Sequence, residues 1–164
     1  SRSIGDQQDN HSSFLILLVV FMMKQTHILL IVDGQGGGVG SQLVKLLRPN
    51  LPEDWQLLCA GTNVMAVSAM LKAGAAQGAS GENAVIYNAS RADLILGPIG
   101  IVLANGILGE VSPAMAAAVS GSQAHKILIP ASSCGVVVAG NTGCKLEETL
   151  RQAAALAVSY MTGN

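Results

Sequence analysis

Four short apolar runs, separated by amphipathic segments, dominate the hydropathy pattern of the chain. The first, HILLIVD (27–33), is continuous and rich in β-branched residues, which is typical of a strand buried on both faces. Between the runs, apolar residues recur at helical spacing, as in NVMAVSAMLKAG (63–74). Strands that alternate with helices predict a parallel α/β sheet. The four predicted strands are 27–33, 55–61, 93–98 and 126–130.

The run GVVVAG (135–140) departs from this alternation. Only 131–134 separate it from the preceding predicted strand, whereas a parallel crossover requires a dozen or more residues. We therefore expect a fifth strand that runs antiparallel at an edge, and a flexible loop over GAAQGASG (74–81). The predicted fold is α/β, a three-layer sandwich whose mostly parallel five-stranded sheet has an antiparallel edge strand.

Residues 1–22 stand apart from the rest of the chain. FLILLVVFMM (14–23) has ten apolar residues, about half of the roughly 20 that a membrane-spanning helix requires. A secretory signal would need a more basic leader and a small-residue cleavage site. We expect that the native start is Met22 or Met23, that 1–22 are a non-native or disordered extension, and that 23–164 form a single domain. An extra edge strand near the N-terminus is the alternative.

Five glycines lie in the seven residues 34–40, directly after the first strand and before a helix. In parallel α/β sheets, ligands bind beyond the carboxyl ends of the strands, where helix N-termini attract anions. Gly34, Gly38 and Gly40 fit G-x-x-x-G-x-G, one of the dinucleotide-binding spacings, whereas G-x-G-x-x-G fails at Val39. A tight turn without a ligand is the alternative. The predicted binding residues are Gly34, Gln35, Gly36, Gly37, Gly38, Val39 and Gly40 of this turn, with Thr62 and Asn63 after the second strand.

The residues after the second strand bear on which nucleotide could bind. NAD-binding domains place an acid there to bind the ribose, yet this chain has Gly61-Thr62-Asn63, which argues against the usual NAD mode. Thr62 and Asn63 could hold a hydroxyl or phosphate group, or simply cap the next helix. The turn also lacks the lysine that precedes Ser/Thr in the phosphate loop of ATPases, so hydrolysis of that kind is not expected.

Asp33, at the entrance of the turn, has three open interpretations. A carboxylate beside a bound phosphate is unfavourable unless a hydroxyl, a proton or a metal lies between them. Asp33 could therefore contact a ligand hydroxyl or amine, share Mg²⁺ with a phosphate, or cap the turn through the backbone.

Few side chains at the predicted ligand end suit acid–base chemistry. His27 and His125 precede strands and so lie at the opposite edge, which argues against hydrolase triads and histidine-ligated metals. Asp33 and Glu82 are the catalytic candidates, and no metal site is predicted. The polar residues expected at the ligand end are Asp33, Glu82, Asn83, Asn105, Glu110, Ser132, Ser133 and Cys134.

Composition restricts the partners that we expect. The formal net charge is −1 without any Lys/Arg cluster, which argues against nucleic-acid binding, and no membrane partner is expected. Half of the residues are apolar and 12% are charged, so exposed apolar surface favours a homo-oligomer. Three cysteines without C-x-x-C spacing indicate a reducing, cytoplasmic location.

Four phrases of the sequence resemble a known family. IVDGQGGGVG, GTNVMAVSAMLKAGA, GENAVIYNASRADLILGPIGIVLANGILGE and KILIP, which cover most of 28–130, resemble an uncharacterised bacterial family, domain of unknown function 3842. The resemblance implies a Rossmann-like cytoplasmic protein and assigns no activity.

Together these observations predict a Rossmann-like domain that binds a nucleotide or another phosphorylated small molecule at the glycine turn. The cofactor would be a nucleotide or dinucleotide. One alternative is an enzyme, either a nicotinamide-dinucleotide-dependent oxidoreductase or a nucleotide-utilising transferase. Another is a metabolite sensor or assembly subunit that catalyses no reaction.

Overall fold

The computed structural model describes residues 4–24, 27–130 and 135–164, in which five strands form one parallel sheet of order β3-β2-β1-β4-β5. The strands are β1 (His27–Asp33), β2 (Trp55–Gly61), β3 (Gln77–Ser80), β4 (Leu94–Pro98) and β5 (His125–Ile129). The helices are α1 (Ile4–Lys24), α2 (Gly38–Leu47), α3 (Val64–Ala73), α4 (Glu82–Arg91), α5 (Pro113–Ser120) and α6 (Leu146–Thr162), with 3₁₀ turns at Arg48–Asn50 and Ile99–Val102.

The central strand β1 buries side chains on both faces of the sheet. Leu29 and Ile31 belong to the core that packs against α2, α3 and α6. Leu30 and Val32 belong to a second core, against α4 and α5 on the opposite face. The continuous apolar run of β1 therefore packs against helices on both faces of the sheet, which confirms the predicted three-layer α/β architecture.

The connections that follow β1 and β4 leave the sheet toward opposite faces. β1 lies between β2 and β4 and pairs in parallel with both. It leads into α2 on one face, whereas β4 leads through Ile99–Val102 to α5 on the other. Such a reversal of strand order opens a crevice at the carboxyl ends of the sheet, where ligands bind in this class of fold.

The sheet is parallel throughout, so the predicted antiparallel edge strand is wrong. Residues 135–140 form no strand, and Gly135 and Gly140 within them have left-handed backbone, with φ of 69° and 84°. The side chain of Val137 between them is 94% exposed. The preceding connection, 131–134, lies outside the described residues.

The strand that lies beside β2 is β3, within the segment expected to be a flexible loop. It pairs in parallel with Leu58–Gly61. A Cβ on its Gly78 would lie 2.5 Å from the Cys59 Sγ, so a residue without a side chain fits this position. All four residues of β3 are exposed, and the alternation of buried and exposed side chains that usually marks a strand is therefore absent.

The apolar segment near the N-terminus lies within α1. Its side chains from residue 9 to residue 20 are exposed. Within the ranges that the structure describes, no helix combines the length and apolarity that a bilayer crossing requires.

Candidate functional site

The glycine turn joins β1 to α2 through two residues with left-handed backbone. Gln35 and Gly37 have φ of 47° and 70°, and the N–H of Gly37 donates to the carbonyl of Gly34 at 2.9 Å. The first helical hydrogen bond runs from the Ser41 N–H to the Gly37 carbonyl at 2.8 Å. The N–H groups before Ser41 have no partner within the helix and need acceptors elsewhere.

Asp33 accepts two of these N–H groups. Its Oδ1 accepts from the Gly34 N–H at 2.8 Å, and its Oδ2 accepts from the Gly40 N–H at 2.7 Å. The side chain is only 5% exposed. Burial raises the pKa of Asp33, the hydrogen bonds from Gly40 and Gly34 oppose this shift, and the nearby Glu110 charge adds to it. Asp33 therefore ties the end of β1 to the start of α2 through the backbone.

Three further N–H groups of the turn, those of Gly36, Gly38 and Val39, have no acceptor among the described residues. All three residues line a cleft of about 390 Å³ at the carboxyl ends of β1 and β4. Its remaining lining residues are Asp33, Gly34, Gln35, Pro98, Gly100, Ile107 and Leu108. The cleft thus lies where the fold places ligand crevices, and residues with unpaired backbone N–H groups line it.

The five glycines of the turn fall into two groups by what a Cβ would meet. At Gly34, Gly37 and Gly40 a Cβ would lie 2.6–2.8 Å from Thr62, Ala66 or Met70, so packing requires glycine there. A Cβ at Gly36 or Gly38 would meet no atom within 4 Å, and neither residue has a positive φ. The fold itself therefore gives no reason for glycine at these two cleft positions.

Glu110 reaches the other side of the turn from a loop that follows β4. Its Oε2 accepts from the Gln35 N–H at 2.9 Å, and its Oε1 accepts from Asn63 Nδ2 at 2.6 Å and Thr62 Oγ1 at 3.1 Å. Asn63 Nδ2 also donates to the Gln35 carbonyl at 2.9 Å, while its Oδ1 caps α3 by accepting from the Ala66 N–H at 2.9 Å. Thr62 and Asn63 therefore contact Glu110 and do not line the cleft.

The loop that carries Glu110 has unusual backbone geometry. Asn105, Ile107 and Leu108 have φ of 63°, 53° and 53°, and a β-branched residue such as Ile107 adopts such values only under strain. Hydrogen bonds from the Asn105 N–H to the Val111 carbonyl, at 2.8 Å, and from the Val111 N–H to the Gly106 carbonyl, at 3.1 Å, hold the loop. We refer to residues 103–111 as the lid loop, because Ile107 and Leu108 border the cleft.

The remaining polar candidates lie apart from this arrangement. The Glu82 carboxylate accepts from Ser112 Oγ at 2.8 Å, which ties the start of α4 to the start of α5. Asn105 is exposed, and Asn83 lines a different cavity beside β3. Ser132, Ser133 and Cys134 lie outside the described residues.

None of the described His or Cys side chains lines the cleft. No group of three His, Cys, Asp or Glu side chains there could hold a metal ion. Burial raises the pKa of Cys59 to about 11, so its thiol stays protonated at neutral pH. His27 and His125 begin their strands and so lie at the edge opposite the cleft.

The sequence predicts that Glu110 lies at the ligand end but indicates no role for it. It is 75 residues from Gln35 in the chain, and no local motif links the two. Glu110 and Gln35 come together because the lid loop, which follows β4, packs against the turn.

The fold and this site define a class of protein: a doubly wound parallel α/β domain with a glycine turn at the topological switch point. Within that class, the chain belongs to the family described as Domain of unknown function (DUF3842), whose model matches residues 28–162. No curated protein matches the chain.

Solved structures resemble the chain at low sequence identity. A dodecameric FMN-dependent UbiX-like decarboxylase from Escherichia coli O157:H7 is 16% identical, with a TM-score of 0.46 over 83% of this chain and 94% of that one. AibC is 15% identical, with a TM-score of 0.43 over 84% of this chain and 43% of that one.

Proposed function

We propose that this domain binds the phosphate group of a small molecule, a nucleotide or another phosphorylated metabolite, at Gly36, Gly38 and Val39. The observation that carries the proposal is the set of three N–H groups without acceptors among the described residues, all on the wall of one cleft. They lie at the start of α2, where the helix dipole favours an anion. Glycine at two of these positions lets a phosphate approach the backbone closely.

The apolar lining residues of the cleft suit the rest of such a ligand. Pro98, Ile107 and Leu108 supply apolar surface, against which a planar base or another ring could pack. The volume of about 390 Å³ falls within the range of roughly 300–1,000 Å³ that small-molecule sites occupy. A few polar donors among mostly apolar lining residues are the features that orient a small ligand.

The cleft supports binding more clearly than it supports catalysis. Asp33 is the one titratable side chain among its described lining residues, and both of its oxygens accept backbone N–H groups. A metabolite sensor or an assembly subunit needs no more than this. A redox or transferase role would need Asp33 to act as an acid or base, and turnover lost in Asp33→Asn with binding retained would favour that alternative.

Replacement of Gly38 by Asp tests the proposal. Titration calorimetry of the full chain with inorganic phosphate and with 5′-AMP should show saturable binding, weakened at least tenfold in Gly38→Asp by charge repulsion. The melting temperature should stay the same or rise slightly, because the new side chain meets no atom and an acid suits the first turn of a helix.

Gly38→Asn is the matched control, since it adds a side chain of the same shape without the charge. It should weaken phosphate binding less than Gly38→Asp does. Equal phosphate affinity in the wild type and Gly38→Asp would contradict the proposed site.

A further inference from the structure

We infer that Glu110 makes this site selective for ligands no longer than one nucleotide, because its carboxylate closes the side of the glycine turn that faces β2. The inference rests on the proposed phosphate site at α2. It also selects between two ligand classes that the sequence leaves open, a mononucleotide-sized compound and a dinucleotide.

The cleft extends to one side of the turn only. It runs from Gly36 and Gly38 toward Pro98 and Gly100, at the end of β4. Thr62, at the end of β2, is not among its lining residues. A ligand anchored by its phosphate at the start of α2 can therefore extend toward β4.

The β2 side of the turn is filled by the protein itself. Glu110 accepts hydrogen bonds from the Gln35 N–H, Thr62 Oγ1 and Asn63 Nδ2, so these three donors already have an acceptor from the protein. Thr62 Oγ1 lies 2.7 Å from where a Cβ of Gly34 would be, so the hydroxyl packs directly on the turn. No buried polar side-chain atom of the described residues lacks a partner, and none is thus aimed at a missing ligand group.

A dinucleotide in a doubly wound fold spans both sides of the turn, with its pyrophosphate at the start of the first helix. Its β2-side nucleoside would have to displace Glu110 and break three hydrogen bonds, two of them from side chains. A compact ligand with one phosphorylated end does not meet this obstacle.

Glu110 is also the residue that links the lid loop to the β2 side of the glycine turn. Ile107 and Leu108 hold left-handed backbone geometry that costs free energy, and Glu110 joins their loop to Gln35 on the turn. Removing the carboxylate takes away these contacts and leaves a smaller side chain at the β2 side. The opened space lies beside Thr62 and Asn63.

The experiment compares 5′-AMP with NAD⁺ by titration calorimetry on the full chain. In the wild type, NAD⁺ should bind at least tenfold more weakly than AMP. In Glu110→Ala the ratio of the AMP affinity to the NAD⁺ affinity should fall at least fivefold, because NAD⁺ binds more tightly. Glu110→Gln keeps the side-chain length but turns an amide N–H toward the Gln35 N–H or toward Asn63, so it should give an intermediate ratio.

Glu147→Ala is the charge-matched control, because Glu147 is an exposed acid on α6 that pairs with Arg151. It should leave the AMP to NAD⁺ ratio unchanged. Wild-type protein that binds NAD⁺ as tightly as AMP overturns the role of Glu110, and so does an unchanged ratio in Glu110→Ala that keeps the wild-type circular dichroism. Failure of the wild type to bind phosphate, AMP or NAD⁺ instead overturns the phosphate site on which the inference rests.

Discussion

Asp33 illustrates how one buried carboxylate can hold a glycine-rich turn in shape. Its two oxygens accept from the N–H groups of Gly34 and Gly40, six positions apart along the chain, and so fix the shape of the turn between them. The sequence shows that Asp33 ends a buried strand, and it allows a capping role. It does not show which N–H groups are taken, and hence which ones remain for an anion.

The raised pKa of Asp33 predicts how the stability of the folded protein depends on pH. Its pKa is raised above the usual 3.8, so the folded protein keeps the proton to higher pH than the unfolded chain does. This group therefore favours folding most below pH 3.8, and its contribution is lost as pH rises through the raised pKa. Urea unfolding of the wild type and Asp33→Asn from about pH 3.5 to 7 should show the wild type losing stability relative to the variant. If the wild type instead gained stability relative to Asp33→Asn as the pH rises, the raised pKa would be contradicted.

In the glycine turn, the sequence predicts the location of the site, and the structure shows which glycines the packing requires. Its position after β1 and its glycine content predict an anion site, yet the sequence treats Gly34, Gly36, Gly37, Gly38 and Gly40 alike. Neighbouring elements, above all α3, separate the glycines that packing requires from those that border the cleft. That division cannot be predicted without knowing how α2 packs on α3.

Alanine at two positions of the turn should separate these two groups. Gly37→Ala places a Cβ 2.8 Å from the Ala66 carbonyl at a φ of 70°, and should lower the free energy of unfolding by about 1–3 kcal/mol. Gly36→Ala meets no atom and should change it by less than about 0.5 kcal/mol or raise it slightly, since alanine restricts the unfolded chain. Urea denaturation measures both, and equal losses would contradict the division.

The strands that the sequence predicts are those that contain apolar runs. β1, β2, β4 and β5 have such runs, and the predicted segments match them to within one residue at each end. β3 consists of Gln77–Ser80, exposed and small, so its pairing with β2 leaves no hydropathy signal. The valines at 136–138 give a strong β signal, but the glycines beside them bend the chain.

At the scale of the whole molecule, the strand order decides where a ligand can bind. Because β1 and β4 send their connections to opposite faces, the cleft opens between their carboxyl ends. The sequence predicts this end of the sheet as the ligand side. The path of residues 103–111 across it, which brings Glu110 to Gln35, depends on tertiary contacts that no periodicity records.

Exposed apolar side chains near β5 and α6 lead us to expect a homo-oligomer. Val137, Leu146 and Leu156 are 94%, 48% and 60% exposed, and β5 is an edge strand of the sheet. Light scattering coupled to size exclusion should give at least twice the chain mass of 16.7 kDa, and Leu156→Glu should reduce it without loss of helix content. A monomeric mass for the wild type at micromolar concentration would contradict this expectation.

The central claim is that backbone N–H groups at the start of α2 bind phosphate, and amide nuclear magnetic resonance tests it most directly. Inorganic phosphate, and then AMP, titrated into the ¹⁵N-labelled chain should shift the resonances of Gly36, Gly38 and Val39 in a saturable way. The amides of Gly34 and Gly40, already bonded to Asp33, should shift much less. Resonances of Gly36, Gly38 and Val39 that stay unmoved at millimolar phosphate and AMP would contradict the claim.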